Sequence, residues 1–117
     1  MKRNLDTVIR LLNGQAMLNG NSAEQAVPYT VGAAISDALV AQFQQEVPQP
    51  DEAEKRRRFK LALVCMLKGE QDFSASDLSL IKKVASLAFA TLIYGQIDAW
   101  AEGEDGIAEP VKTEDVG

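Results

Sequence analysis

From Phe73 to Ala101 apolar residues recur at helical spacing almost without interruption. Leu78, Ile81, Val84, Ala85, Ala88 and Leu92 lie three or four residues apart, so they share one helical face that must be buried against a partner. The start of this stretch is specified locally. Ser74 stands where an N-cap belongs, Asp77 occupies the N3 position of a capping box, and Phe73 is placed to staple against Leu78. The stripe then rotates onto Phe89, Ile93, Ile97 and Trp100, and residues 86–91 are apolar nearly all round. This change of face predicts a bend near Ala88–Ala90 and helices over 74–87 and 90–102, with one long helix over 74–102 as the alternative.

Two earlier helices are predicted by the same reasoning. Thr30 can cap a helix over 30–47 whose Val31, Ala34, Ile35, Ala38, Leu39 and Phe43 form a core-facing stripe, and Pro48 disfavours helix in the residue before it. Pro50 can open a helix over 50–68, with Asp51, Glu52 and Glu54 near its positive end and Lys68-Gly69 at its close. Glu52 with Arg56 and Glu54 with Arg58 are four-residue pairs that support it. Phe59, Ala62, Leu63, Met66 and Leu67 read as its buried face, and Glu70-Gln71-Asp72 as a turn.

Residues 1–29 read as a hairpin and loop. Asn13-Gly14 separates two short apolar segments and suits a type I′ turn, while Leu5, Val8, Ile9 and Leu12 also fit a short helix ended by Gly14. Residues Gly20–Pro28 are rich in small polar types and read as loop. The fold class expected is mainly α: a compact bundle of three to four helices over residues 1–102, with a small N-terminal β-hairpin. Residues 103–117 form an acidic tail expected to be disordered.

Charge sharpens the division. Residues 102–117 carry six acidic residues against Lys112 alone, so the net charge of −5 belongs to the tail and residues 1–101 balance at eleven of each sign. Neither a basic nucleic-acid-gripping domain nor a globally acidic mimic follows. The longest apolar run, Ala85–Gly95, is too short for a bilayer span, and Met1–Asp6 has no apolar segment behind its two basic residues. A soluble, cytoplasmic protein without membrane contact is the expectation.

Chemistry is sparse. There is no histidine, and the single Cys65 lies in an apolar helical block with no base to activate it, so core packing is its expected role. Asp37 and Asp98 have no companion nucleophile or metal-ligand set, and Gly14, Gly20 and Gly32 match no phosphate-binding fingerprint. No catalytic, cofactor or metal residues are assigned. Contact with a partner is instead assigned to Tyr94 and Trp100, large amphipathic rings beside Gly95, and to Arg56, Arg57 and Arg58. The basic run lacks a stacking platform, which makes nucleic acid an unfavoured partner.

Two segments carry a resemblance. Tyr29–Val40, reading Tyr-Thr-Val-Gly-Ala-Ala-Ile-Ser-Asp-Ala-Leu-Val, resembles a Leu-Thr-Leu-Gly opening of an Asn-Ala-Leu-Leu helix. Leu78–Val84 running on to Leu92–Ile97 resembles a Leu-Ile-Lys-Lys segment with a Gly-Gln ending. Asn13-Gly14 and Arg58–Leu63 stand in matching order. These features are similar to small proteins encoded by bacteriophages and prophages, most without an assigned function; Phe89-Ala90 stands here where that group often has Gly-Pro. The resemblance carries over no catalytic motif, and the expected function is a non-enzymatic, phage-encoded protein-interaction module of virion assembly or structure, binding a phage structural or host protein or a second copy of itself. Inhibition of a host system and nucleic-acid-associated regulation are the rival readings.

Overall fold

The computed structural model describes residues 1–19 and 26–103. Among these, two antiparallel strand pairs precede and interleave four helices: β1 (Lys2–Asn4), β2 (Leu18–Asn19), β3 (Val27–Pro28), α1 (Val31–Val40), α2 (Glu52–Cys65), β4 (Glu70–Asp72), α3 (Ala75–Ala88) and α4 (Thr91–Ala101). This is the mainly helical bundle with a small N-terminal hairpin. The expected tail, from residue 104 onward, lies outside the described residues, as does residue range 20–25 of the expected loop.

Local signals shape the second half of the chain. The Ser74 side chain accepts the Asp77 N–H and the Asp77 carboxylate accepts the Ser74 N–H, closing the capping box. Phe89 and Ala90 are extended, which breaks the apolar stretch into α3 and α4. Phe73 and Trp100 meet edge to face at 5.7 Å between ring centroids, and the Trp100 Nε1–H donates to the Asn4 carbonyl at 2.8 Å.

Besides the hairpin, the N-terminal segment forms a strap that is packed into the core. β1 pairs with β4, so Glu70–Asp72 is a strand where a turn is predicted; the partner strand lies almost seventy residues away and leaves no local signal. Leu5 and Ile9 are buried, and Leu5, Ile9 and Val31 N–H groups donate to the Gly69, Tyr29 and Thr7 carbonyls. The chain reverses at Asn13–Gly14, with Gly14 N–H on the Leu11 carbonyl and Leu11 N–H on the Gln15 carbonyl. Gly14 alone takes a positive φ, of 90°, so the loop is the three-residue kind and not type I′, which would need Asn13 there too. Val27–Pro28, expected as loop, pair with Leu18–Asn19. The Gln96 side-chain amide meets the Arg10 backbone at both ends, accepting its N–H at 2.9 Å and donating to its carbonyl at 2.8 Å, which ties the strap to α4.

Three helix ends differ from expectation. α1 stops at Val40, seven residues before the predicted limit of 47, and the irregular segment that follows still buries Phe43 while bringing Glu46 inward to Arg58. Gln49 Nε2 then caps the turn by donating to the Phe43 and Glu46 carbonyls at 2.8 and 2.7 Å. α2 begins after Asp51, whose side chain accepts the Glu54 N–H, and ends at Cys65 with Gly69 beyond it at a φ of 76°; the predicted span was 50–68.

The larger correction concerns which side of α2 is buried. Arg58, Leu61, Ala62 and Cys65 face inward, while Phe59, Leu63, Met66 and Leu67, four of the five predicted core residues, are exposed. The reason is the close crossing with α1. A Cβ on Gly32 would lie 2.6 Å from the Cys65 carbonyl oxygen, and Ser36 Oγ donates to the Ala62 carbonyl at 3.2 Å. Only the small side chains of Ala62 and Cys65 let the two backbones approach so far; the bulkier face is turned out.

Candidate interaction surface

Each residue assigned to partner contact can now be placed. Trp100 is 4% exposed, its ring against Phe73 and its N–H satisfied, so it is a core residue and not a surface anchor. Tyr94 is half-buried, with its hydroxyl 3.5 Å from Asp98, and Gly95 has open space around it. The three arginines separate. Arg58 is buried in a bidentate pair with Glu46, at 3.0 and 2.5 Å, and its Nε reaches Glu54 at 3.0 Å. Arg57 crosses to α3, donating to the Ser76 carbonyl at 3.0 Å and hydroxyl at 2.7 Å, with Glu54 and Asp77 nearby. Arg56 is exposed and makes no ion pair or hydrogen bond among the described residues, so the expected pairing with Glu52 is not formed. Two of the three arginines are therefore joints of the fold.

Glu46 is the centre of that joint. Arg58 holds its carboxylate down at about 2 against the ordinary 4.5, overcoming the opposing effect of burial, and Lys83 at 3.1 Å adds to it. Sequence inspection reads Arg58 as part of an exposed run, because its partner sits twelve residues upstream in the irregular segment after α1. Cys65 is buried and its thiol is pushed up to about 12, chiefly by desolvation, so at neutral pH it is a protonated apolar filler. Asp37 accepts the Tyr29 hydroxyl at 3.0 Å, and Asp98 lies 3.5 Å from Lys82. No trio of metal-ligating side chains converges among the described residues.

Large apolar side chains are exposed at Leu12, Leu18, Val27, Val40 and Val47, and in closest sequence along and just after α2. Phe59 (57% exposed) and Leu63 (54%) lie one turn apart on α2, and Met66 (66%) and Leu67 (52%) follow in the turn just beyond its end, so four large apolar side chains face outward in this part of the chain. Exposed apolar area on this scale, on the order of 400 Å², is the size of the largest apolar patch of an ordinary monomer, a patch that often serves binding. Lys55, Arg56 and Lys60 are exposed around Phe59, with Asp51 and Glu52 one turn before them.

Beside Phe59 the surface is concave. Leu39, Val40, Phe43, Pro50, Lys55 and Phe59 line a groove of about 480 Å³ between the end of α1, the irregular segment after it and α2. Its floor is apolar, and the Glu46–Arg58 pair closes its inner side. A groove of this kind can hold a large apolar side chain; it presents no positioned base, nucleophile or oxyanion donor. Among the described residues no helix is long and apolar enough to cross a membrane. Comparison with known proteins brings no match: no family model, no curated protein and no solved structure is significantly similar to the chain.

Proposed function

We propose that this chain is a non-enzymatic protein-binding module that works through the outward face of α2, and that it is a phage-encoded component of virion assembly or structure. The observation that carries the first part is the exposure of Phe59 and Leu63 on α2 and of Met66 and Leu67 directly after it, although their sequence pattern is that of a buried face. Phe59 and Leu63 are fixed on the helix, Met66 and Leu67 follow directly in the turn that ends it, and each would gain by leaving water. The second part is supported by the resemblance of the Tyr29–Val40 and Leu78–Ile97 segments to small phage proteins. Tyr94 and Trp100 have no place in this reading, and of the arginines only Arg56 does.

The test is site-specific photo-crosslinking. With p-benzoylphenylalanine at position 63, cells producing the phage that carries this gene should yield one dominant adduct, and mass spectrometry should identify it as a virion or assembly protein. The same probe at position 37, on the exposed side of α1, should not give that adduct. An adduct with a host enzyme or polymerase would move the function to inhibition of a host system. Equal labelling from both positions would refute α2 as the binding face.

A further inference from the structure

The occupant of the α2 face can be described more closely, on the premise that this face is the binding surface. We propose that it takes a negatively charged amphipathic helix of a partner protein, with one large apolar side chain seated in the groove beside Phe59 and carboxylates against Lys55, Arg56 and Lys60.

The charge argument comes from which cations are already used. In the run Lys55–Lys60, Arg57 and Arg58 are held by Glu54, Asp77 and Glu46. Lys55, Arg56 and Lys60 are exposed and make no ion pair among the described residues, with the exposed carboxylates of Asp51 and Glu52 one turn before them. They flank Phe59, the apolar residue that also forms the wall of the groove. A partner helix with apolar residues at three- and four-residue spacing and acids on its borders would match both features. A second copy of this chain would bring up the same three cations. Nucleic acid would meet four apolar side chains with one aromatic ring among them, and a flat lipid surface could not fill the groove.

Selection from a displayed library of helical peptides with a randomised face, against the intact chain, tests this. Enriched peptides should carry net negative charge and a bulky apolar residue, and their affinity should fall at least tenfold in K55E/R56E/K60E and in Phe59→Ser. Circular dichroism must show that both variants keep the wild-type fold; should Phe59→Ser lose it, Leu63→Ser takes its place. Binding should also weaken as salt rises. Enrichment of neutral or basic peptides, or of acidic ones indifferent to the charge reversal, would overturn the inference while leaving α2 as the binding face. Failure to enrich any peptide would overturn the inference, and an empty crosslink at position 63 would remove the premise as well. A dimer in light scattering that dissociates on Leu63→Ser would assign the face to a second copy instead. Co-sedimentation with phosphatidylglycerol vesicles that is lost on charge reversal would assign it to a membrane.

Discussion

Replacing Arg58 by Met isolates the one ion pair with both partners buried among the described residues. Arg58 gives Glu46 two hydrogen bonds and Glu54 one, and both Arg58 and Glu46 are almost wholly shielded from solvent. Removing one partner of a buried pair costs about 3–5 kcal/mol, because the other charge stays desolvated. Here Lys83, itself half exposed, still reaches Glu46 at 3.1 Å and reduces the cost to about 2–3 kcal/mol. At about 4–8 °C per kcal/mol for a domain of this size, the midpoint should fall by roughly 10–20 °C. The double variant Glu46→Met/Arg58→Met leaves no orphaned charge and should recover most of the loss.

Acid gives a second reading of the same pair. The folded-state pKa of Glu46, about 2, lies below its ordinary value of 4.5. The unfolded chain therefore takes up the proton first as pH falls. The contribution is whole above about 4.5 and is lost as pH descends toward about 2. The full shift corresponds to about 3 kcal/mol, and screening by solvent around Lys83 reduces it to about 1–2 kcal/mol. Asp72 and Glu102 are also held below their usual range, by the N-terminal amine and by Lys82, so the informative quantity is the difference between wild type and double variant. Urea denaturation from pH 7 to pH 2.5 measures it, and wild type should lose that much more stability than the double variant. A double variant as unstable as Arg58→Met, or the same pH slope in both proteins, would refute the reasoning.

Three further outcomes test the packing. Gly32→Ala puts a methyl group 2.6 Å from the Cys65 carbonyl, a backbone atom that cannot swing away, and should cost about 1–3 kcal/mol in chemical denaturation. Leu61→Ala should cost about 2–4 kcal/mol and Leu63→Ala under about 1 kcal/mol, since the first is buried and the second half exposed; the reverse order would mean that α2 packs the other way round. Gln96→Leu strips both partners from the Arg10 backbone and should cost about 1–3 kcal/mol, with hydrogen exchange accelerated at Arg10.

How far the sequence could be read depended on the range of the interactions involved. The capping box of Ser74 and Asp77 and the stripe of α3 are written within a few residues, so they can be seen without the fold. The pairing of Lys2–Asn4 with Glu70–Asp72 cannot, since two short polar segments far apart carry no pattern that points to each other. The inward course of the segment after α1 was hidden for a similar reason, since it brings Glu46 to Arg58, twelve residues on. α2 is the instructive case. Periodicity counts apolar bulk and so chose Phe59, Leu63, Met66 and Leu67, but the crossing with α1 selects for small residues. Gly32 and Ser36, one turn apart on α1, and Ala62 and Cys65, three apart on α2, were the readable sign of a close approach. Reading them would have freed the large side chains for the surface. Trp100 misled in the opposite sense, because an indole near a helix end fits either role until its N–H partner, Asn4, is known.

The central claim is that α2 spends its large apolar side chains on binding and not on stability. Paired measurement of thermal unfolding and of the crosslinking yield from a photoprobe at position 66, with and without the double substitution Phe59→Ser/Leu63→Ser, addresses it directly. A midpoint within about 4 °C of wild type, equivalent to less than about 1 kcal/mol, is expected together with loss of the partner adduct. A collapse of the midpoint, or an adduct that survives in a folded variant, would contradict it.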